Sequence, residues 1–342
     1  MSYKQMTGNI ISATKVEPAG KIINSAASGV WNLQDAYDYT RGGNWPNAAN
    51  AAPTGLIGGV GNSGSYTNVI EFIVIATTGD SADFGDRTVS TQRLSSLGSS
   101  TRGLFAMGQA AANLDTIDFV TIASTGNAAD FGNTSATAQL GAALSNNVRG
   151  VFAHGTSGDD AASDVIEYVT IANTGNTTDF GNLSVARGYF AGCASTTRGL
   201  FSGGYGSAYL NVIDYITIGS TGNATDFGNL SAVRAFTSSC ASNTRGLIAA
   251  GDPGGGSQTN IIEYVTIANT GNTTDFGDLT DATQRMAELC SNLRAVFAGG
   301  IGYKKMDYVT IASAGNASDF GDLSTATFSA AGCSGSHGGI AA

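Results

Sequence analysis

The stretch YVTIANTGNTTDFGNL (168–183) recurs along the chain with small changes, and this recurrence decides the fold. Its other copies are FIVIATTGDSADFGDR (72–87), FVTIASTGNAADFGNT (119–134), YITIGSTGNATDFGNL (215–230), YVTIANTGNTTDFGDL (264–279) and YVTIASAGNASDFGDL (308–323). Successive copies are 47, 49, 47, 49 and 44 residues apart, counted from the Asp of each DFG triplet. A period of about 40–50 residues suits a unit of four strands, as in a propeller blade.

The interior of one unit supports this architecture. The segment 212–218 (VIDYITI) is rich in β-branched and aromatic residues and is too short for a typical helix, so it predicts a strand. Both of its alternating sets of side chains are largely apolar, which predicts that both faces are covered by neighbouring blades. Gly222 and Asn223 then predict a tight hairpin with positive φ into a strand at about 224–230. We name the four strands of a unit a to d: 187–194 is a strand a, 198–204 a strand b, and the two strands above are c and d.

Three features recur in the strands of each unit. An Arg lies before strand a (Arg93, Arg187, Arg234, with Arg285 displaced by one place), strand b ends in Gly-Gly in several units, and strand c carries an aromatic residue. In these features the units resemble kelch repeats. The resemblance covers residues from about 50 to 342. It departs from the family in lacking the Trp that closes strand d, where the Phe of DFG stands instead. It implies an all-β propeller of four-stranded antiparallel blades with strand a innermost.

The order of strands predicts how the ring closes. The first strand b (54–60) has no strand a before it, and the last strand a (327–334) has no strand b after it. We expect these two to pair in a six-bladed propeller, because two edges would otherwise stay open. The tail 337–342 resembles a faded strand b, so the alternative is a seven-bladed ring or an incomplete seventh blade. The four cysteines fall on about the same place in different blades, and we predict four free thiols.

Residues 1–49 lie outside the period and contain both tryptophans. Their stretch SGVWNLQDAYDYTRGGNWP (28–46) resembles a segment near the start of tail-fibre and other structural proteins of bacteriophages, notably marine and cyanobacterial ones. The resemblance implies a virion component, and a homo-oligomer in the particle. We therefore expect 1–49 to be an anchor that docks to other virion proteins, with Trp31, Tyr37 and Trp45 as its candidate contacts, and 50–342 to be the propeller.

Charge and composition exclude several classes of function. The chain has 16 Lys and Arg against 26 Asp and Glu, a net charge of −10, which argues against a nucleic-acid partner. No run of about 18 apolar residues predicts a membrane span, and the start lacks the pattern of a signal peptide, so we expect a soluble, unprocessed protein.

The repeated polar motifs predict no chemistry. DFG lacks the companion motifs of protein kinases, so we interpret it as a turn whose Asp caps backbone amides or pairs with an Arg. The N-x-[ST] sequons at Asn176, Asn223, Asn272 and Asn316 are interpreted as by-products of turn chemistry. His154 and His337 are isolated, and we find no catalytic or metal-ligand spacing. We expect no enzyme, no cofactor and no metal.

An Arg begins strand b in five units, which would form a ring at one end of the propeller. The ring comprises Arg102, Arg149, Arg198, Arg245 and Arg294. It could bind anions, but we prefer a structural interpretation in which each Arg pairs with a nearby Asp.

The connections from strand b to strand c vary in length and content, whereas the turns at the opposite end are nearly constant. Variable loops on a rigid scaffold are where binding tends to reside, although neutral drift would give the same pattern. The candidate tips are Tyr66, Asp159, Asp160, Tyr205, Tyr209, Tyr303, Lys304 and Lys305.

Together these features favour a non-enzymatic bacteriophage virion protein, in a fibre, tail tip or capsid decoration. Its propeller would contact a host-surface glycan or protein, or a virion partner. Two alternatives stay open: a propeller enzyme acting on cell-surface polysaccharide, and a cellular kelch-like scaffold.

Overall fold

The computed structural model describes residues 54–62, 65–157 and 161–340. They form six antiparallel sheets of four strands each, which we number blades 1 to 6. Among these residues, no helix has the length and apolar character that a membrane crossing requires. The proposed anchor, with Trp31, Tyr37 and Trp45, lies outside the described residues.

Each blade runs from strand a to strand d. Blade 1 consists of β24 (Ala331–Ser334), β1 (Thr54–Gly58), β2 (Thr67–Val74) and β3 (Ala82–Thr91). Blade 2 consists of β4 (Ser95–Gly98), β5 (Arg102–Ala106), β6 (Leu114–Thr121) and β7 (Ala129–Ala138). Blade 3 consists of β8 (Ala142–Ser145), β9 (Arg149–Ala153), β10 (Val165–Thr170) and β11 (Thr178–Asn182).

The other three blades repeat this order. Blade 4 consists of β12 (Ala191–Ala194), β13 (Arg198–Ser202), β14 (Val212–Thr217) and β15 (Thr225–Asn229). Blade 5 consists of β16 (Ser238–Ala241), β17 (Arg245–Ala249), β18 (Thr259–Thr266) and β19 (Thr274–Thr283). Blade 6 consists of β20 (Ala287–Cys290), β21 (Arg294–Ala298), β22 (Tyr303–Thr310) and β23 (Ser318–Thr327).

The two ends of the repeat region close the ring as predicted. Strand β24 pairs antiparallel with β1, from Gly55 opposite Ser334 to Gly58 opposite Ala331. Neighbouring strands a contact one another around the axis, so strand a is innermost. The predictions of six blades and of an inner strand a are confirmed.

The alternative of a seventh blade is wrong. Residues after Ser334 turn across the inner strands instead of adding a strand b. His337 Nε2 lies 2.9 Å from Gly98 O in blade 2, and Gly338 N donates to Ala241 O in blade 5 at 2.9 Å. A tail that contacts several inner strands in this way covers one end of the central channel.

The hydrophobic core lies between the blades, which is why strand c is apolar on both faces. In β14, Ile213 and Ile216 are both buried. One apolar cluster joins Ile213 and Phe227 of blade 4 to Ile248 and Val265 of blade 5. Burying one such side chain contributes roughly 1.5–3 kcal/mol, so repeated blade-to-blade packing supplies much of the stability.

The DFG triplet lies inside strand d, so its interpretation as a turn is wrong. Its Phe packs edge-on against the aromatic residue of strand c in the same blade, as in the pair Tyr215 and Phe227, whose ring centroids are 6.2 Å apart. The same geometry recurs in all six blades. The Phe is buried to 2–3% exposure in each.

The Gly of DFG and the TGN turn form a contact between adjacent blades. Gly222 N of blade 4 donates to Phe180 O of blade 3 at 2.7 Å, and Asn182 N donates to Asn223 Oδ1 at 3.1 Å. A Cβ on Gly181 would lie 2.5 Å from Gly222 O, so only Gly permits this approach. Asn223 is not among the residues with positive φ, which corrects the predicted two-residue hairpin conformation. The motif recurs because every blade must join the next.

Candidate functional site

The two ends of the propeller differ in character. At one end lie the a-to-b turns and the TGN turns that join adjacent blades; we call it the clasp face. At the other end lie the b-to-c and d-to-a connections; we call it the loop face. Seven described large apolar side chains are strongly exposed, and Val148 and Leu293 lie on the clasp face. The other five lie on the loop face: Tyr66, Val185, Tyr205, Val233 and Tyr303.

Tyr205 and Tyr209, two of the candidate tips, lie side by side in the b-to-c connection of blade 4. The two residues face each other in an isolated β-bridge, and their ring centroids are 5.1 Å apart. Tyr205 is 39% exposed, and its ring also lies 6.4 Å from that of Tyr189. Tyr209 donates its hydroxyl to Asp252 Oδ2 at 3.1 Å, which fixes the ring. Burial and this hydrogen bond raise the pKa of Tyr209, which therefore stays a neutral donor.

The other candidate tips are placed differently. Tyr66 is 44% exposed, directly before β2. Tyr303, Lys304 and Lys305 belong to β22, so their assignment to a loop is wrong. Both lysines are already paired, Lys304 Nζ with Asp322 at 2.9 Å and Lys305 Nζ with Asp281 at 3.0 Å. Asp159 and Asp160 lie outside the described residues.

The arginines that begin strand b form the predicted ring on the clasp face, with structural contacts that sequence did not anticipate. Arg149 Nη1 donates to Ile218 O of the next blade at 2.9 Å, and its guanidinium lies 4.2 Å from the centroid of the Tyr168 ring. Equivalent contacts are made by Arg102, Arg198, Arg245 and Arg294. The preferred pairing with Asp is wrong, because no described carboxylate lies within salt-bridge distance of these guanidiniums. Anion binding by the ring stays a prediction.

Sequence reasoning missed a second ring, formed by one buried carboxylate in the middle of each strand c. Asp214 in β14 accepts hydrogen bonds from Ser184 N and Ser184 Oγ of the preceding blade, at 3.2 and 2.6 Å. In every other repeat, the Ser or Thr at the place of Ser184 donates to the corresponding carboxylate of the next blade. These carboxylates are Glu71, Asp118, Glu167, Glu263 and Asp307. An acidic residue inside an otherwise apolar strand was the signal that could have revealed them.

Four of these carboxylates also face a basic side chain. Arg87 Nε lies 3.1 Å from Asp118 Oδ2, and Arg187 Nη1 lies 3.0 Å from Asp214 Oδ2. The angle of the second contact is unsuitable for a hydrogen bond, so it is an ion pair only. Arg234 contacts Glu263, and His154 Nε2 lies 3.0 Å from Glu167 Oε2.

The Glu167 pair shows what these contacts achieve. Burial on its own would raise the pKa of Glu167, but hydrogen bonds from His154 and Ser135 lower it to about 2. The carboxylate is therefore ionised and structural at neutral pH. Distributed one per blade and buried, these carboxylates tie adjacent blades together.

The Asp of DFG does not behave as expected. All six copies are exposed, and none makes a side-chain hydrogen bond or ion pair with a described residue. The expectation that these residues cap turns or pair with Arg is therefore wrong. Among the described residues, no group of three or more His, Cys, Asp or Glu is arranged to hold a metal ion.

The central channel contains the cysteines. Cys193, Cys240, Cys290 and Cys333 are all buried and unpaired, which agrees with the predicted free thiols. Burial raises the pKa of Cys193 and of Cys333 to about 12, so both are unreactive thiols.

Comparisons with known proteins add no relative to this picture. No known protein family matches the chain, and no curated protein matches it significantly. The described residues form a six-bladed β-propeller of four-stranded antiparallel blades.

Proposed function

We propose that this protein is a non-enzymatic structural component of a bacteriophage virion, whose loop face binds a host-surface glycan or protein or a virion partner. The observation that carries the proposal is the contrast between the two faces. The clasp face is repeated and its polar groups are used to join blades, whereas the loop face varies from blade to blade and carries five of the seven exposed large apolar side chains of the described residues. Exposed apolar side chains on variable loops are typical of binding surfaces.

The tyrosine pair is the strongest contact candidate on the loop face. A fixed Tyr209 ring beside a 39% exposed Tyr205 presents aromatic area with little conformational entropy left to lose. Glycans and proteins both bind such surfaces, because a Tyr offers an apolar face and a hydroxyl.

The virion assignment is supported by the resemblance of 28–46 to phage structural proteins. Particles produced from the genome that encodes the chain should contain its peptides when purified and examined by mass spectrometry. A chain with residues 1–49 deleted should still fold, with the same thermal transition, but should be missing from the particles. Absence of the full chain from purified particles would overturn the assignment.

The binding role is tested with labelled full-length protein and the host cells of that phage. Changing Tyr205→Ala together with Tyr209→Ala should reduce cell-bound protein by at least about tenfold, since aromatic anchors dominate interfaces. Leu293→Ala, at a 74% exposed site on the clasp face, is the matched control and should bind normally.

A second variant separates binding from packing. Tyr209→Phe removes the hydrogen bond to Asp252 but keeps the ring, so it should lower stability slightly and preserve attachment. Attachment that persists in the double Ala variant, with only the melting temperature lowered, would show that the tyrosines are scaffold.

A further inference from the structure

The centre of the loop face is ringed by residues in a rare backbone conformation. Seven described non-glycine residues have positive φ, and five of them stand two places before a strand a, with φ of 56° to 63°. They are Arg93, Leu140, Tyr189, Phe236 and Arg285. The left-handed conformation costs a non-glycine residue roughly 1 kcal/mol or more, and such residues cluster at functional sites.

Backbone hydrogen bonds hold this ring in place. Tyr189 N donates to Leu140 O at 2.7 Å, and Phe236 N donates to Tyr189 O at 2.6 Å, each bond crossing from one blade to the preceding one. Three further backbone hydrogen bonds continue the series, from Leu140 N to Arg93 O, from Arg285 N to Phe236 O and from Arg93 N to Ser329 O. Ser329 takes the sixth place, in blade 1. The six side chains line one funnel that opens to solvent, which we call the central mouth.

The central mouth has a cationic half and an apolar half. Around the ring, Arg285 and Arg93 flank the small Ser329, and Leu140, Tyr189 and Phe236 form the other side. The Arg285 guanidinium lies 4.0 Å from the Phe236 ring centroid and 4.8 Å from that of Phe328. Aromatic stacking thus orients the cation without neutralising it.

Neither guanidinium has a counter-ion among the residues that the structure describes. Arg93 Nη1 donates only to the neutral Gln139, at 3.1 Å, and no described carboxylate forms a salt bridge with Arg93 or Arg285. Arg93 Nε, Arg285 Nε and Arg285 Nη1 are buried without a hydrogen-bond partner among the described residues. Each such unmet donor costs about 1–3 kcal/mol.

The buried Arg87, Arg187 and Arg234 each face a carboxylate, and the clasp-face arginines, which lack one, each donate to a backbone carbonyl of another blade. Arg93 and Arg285 have neither kind of contact among the described residues. Burial, reinforced by the charge of Arg93, lowers the pKa of Arg285 to about 10, so the group is still a cation at neutral pH. Asp252, whose charge favours the Arg285 cation, accepts hydrogen bonds from Tyr209 Oη and from Gly254 N.

Glu288 also lines the mouth, deeper on β20. Burial raises its pKa well above the usual range, so at the foot of the mouth it favours the neutral acid. Among the described residues, Glu288 forms no salt bridge with Arg93 or Arg285. The mouth therefore presents positive charge and hydrogen-bond donors in a protein whose net charge is −10.

We propose that the central mouth binds an oxyanion carried by a small ligand, with Arg93 and Arg285 as its partners. A carboxylated sugar is the chemistry that uses both halves, since its carboxylate accepts from the guanidiniums and its ring lies against the apolar half. The funnel encloses about 70 Å³ below its open end, which is room for the carboxylate end of such a ligand. The site adjoins the Tyr205–Tyr209 pair, since the ring of Tyr189 lies 6.4 Å from that of Tyr205, but its charges come from Arg93 and Arg285.

The test is calorimetric titration of the full-length protein with glucuronate, with inorganic phosphate and with neutral glucose. Glucuronate should bind and glucose should not. Arg93→Gln and Arg285→Gln should each weaken glucuronate binding by about tenfold or more, because each removes a charge-assisted contact. If phosphate binds instead of glucuronate, and the Arg93→Gln and Arg285→Gln variants lose that binding, the mouth is an oxyanion site but its assignment to a sugar acid is overturned.

Stability separates a binding role from a structural one. Arg285→Gln removes a half-buried cation that has no counter-ion among the described residues, so it should leave the melting temperature unchanged or raise it. Arg149→Gln, at a clasp-face arginine that donates to Ile218 O, is the matched control and should lower the melting temperature without affecting binding. Failure of both anions to bind at about millimolar concentration, or equal binding by wild type and both mouth variants, would overturn the proposal.

Discussion

The buried ion pair between Arg87 and Asp118 allows a sharp test of how adjacent blades are joined. Both side chains are fully buried, with Arg87 Nε 3.1 Å from Asp118 Oδ2, and Thr88 Oγ1 donates to Asp118 Oδ1 at 2.5 Å. Asp118→Asn preserves the shape and the Thr88 contact but leaves Arg87 as an unbalanced buried cation. Asp307→Asn is the matched control, because Asp307 occupies the equivalent place and accepts only from Thr280 and not from an Arg.

The expected difference follows from the charge. Removing one partner of a buried ion pair costs about 3–5 kcal/mol, whereas weakening the hydrogen bonds of a carboxylate that has no ion-pair partner costs about 1–2 kcal/mol. With an unfolding entropy of about 2.1 cal/mol/K per residue, a propeller of roughly 290 residues loses about 1.6 °C of melting temperature per kcal/mol. Asp118→Asn should therefore lower the transition by about 5–8 °C, and Asp307→Asn by about 2–3 °C.

A double variant completes the cycle. Four other repeats carry a buried Leu where Arg87 stands, so Arg87→Leu fits the site. Arg87→Leu combined with Asp118→Asn should recover most of the loss, because replacing a buried pair by neutral groups is nearly free. The assay is urea unfolding followed by circular dichroism, with calorimetry for the melting temperature. Equal losses in Asp118→Asn and Asp307→Asn, or no recovery in the double variant, would refute the argument from charge.

Four further outcomes are expected. Gly181→Ala should lower the free energy of unfolding by about 3 kcal/mol or more, since its Cβ would strike the next blade, whereas Gly219→Ala, at a place with no atom within 4 Å and Ala in the other repeats, should be neutral. The lowered pKa of Glu167, about 2, means that the unfolded chain binds its proton more readily, so stability should fall as the pH drops from about 4.5 towards 2, and less steeply in Glu167→Gln. The raised pKa of Glu288 has the opposite sign: stability should fall as the pH rises above 4.5, and Glu288→Gln should be more stable than wild type at pH 7 by calorimetry. Thiol titration of the denatured protein without reductant should find four thiols, and a smaller number would reveal a disulfide.

Sequence alone determined the parts of this protein that depend on local pattern and on repetition. A strand of apolar residues on both faces, such as 212–217, has to be covered on both sides, and a repeat of about 47 residues supplies a neighbour for each face. The unpaired first strand b and last strand a determined closure, because an open edge of that length is unfavourable. The proximity of Tyr205 and Tyr209 also follows from the sequence, since both residues lie in one short loop.

Tertiary structure decided the roles of the polar residues, because their partners lie in another blade. Gly181 and Gly222 approach each other only when blades 3 and 4 are packed. The sequence therefore suggested that TGN and DFG are turns, whereas in the fold they form the contact between adjacent blades. The central mouth has no repeat motif at all: its ring places are filled by chemically different residues, and their shared property is a left-handed backbone. Arg93 and Arg285 precede blades 2 and 6, far apart along the chain, and only the closing pair of β1 and β24 leaves a single blade between them. The sequence period specifies the order of the strands, whereas the proximity of Arg93 and Arg285 depends on the closure of the ring.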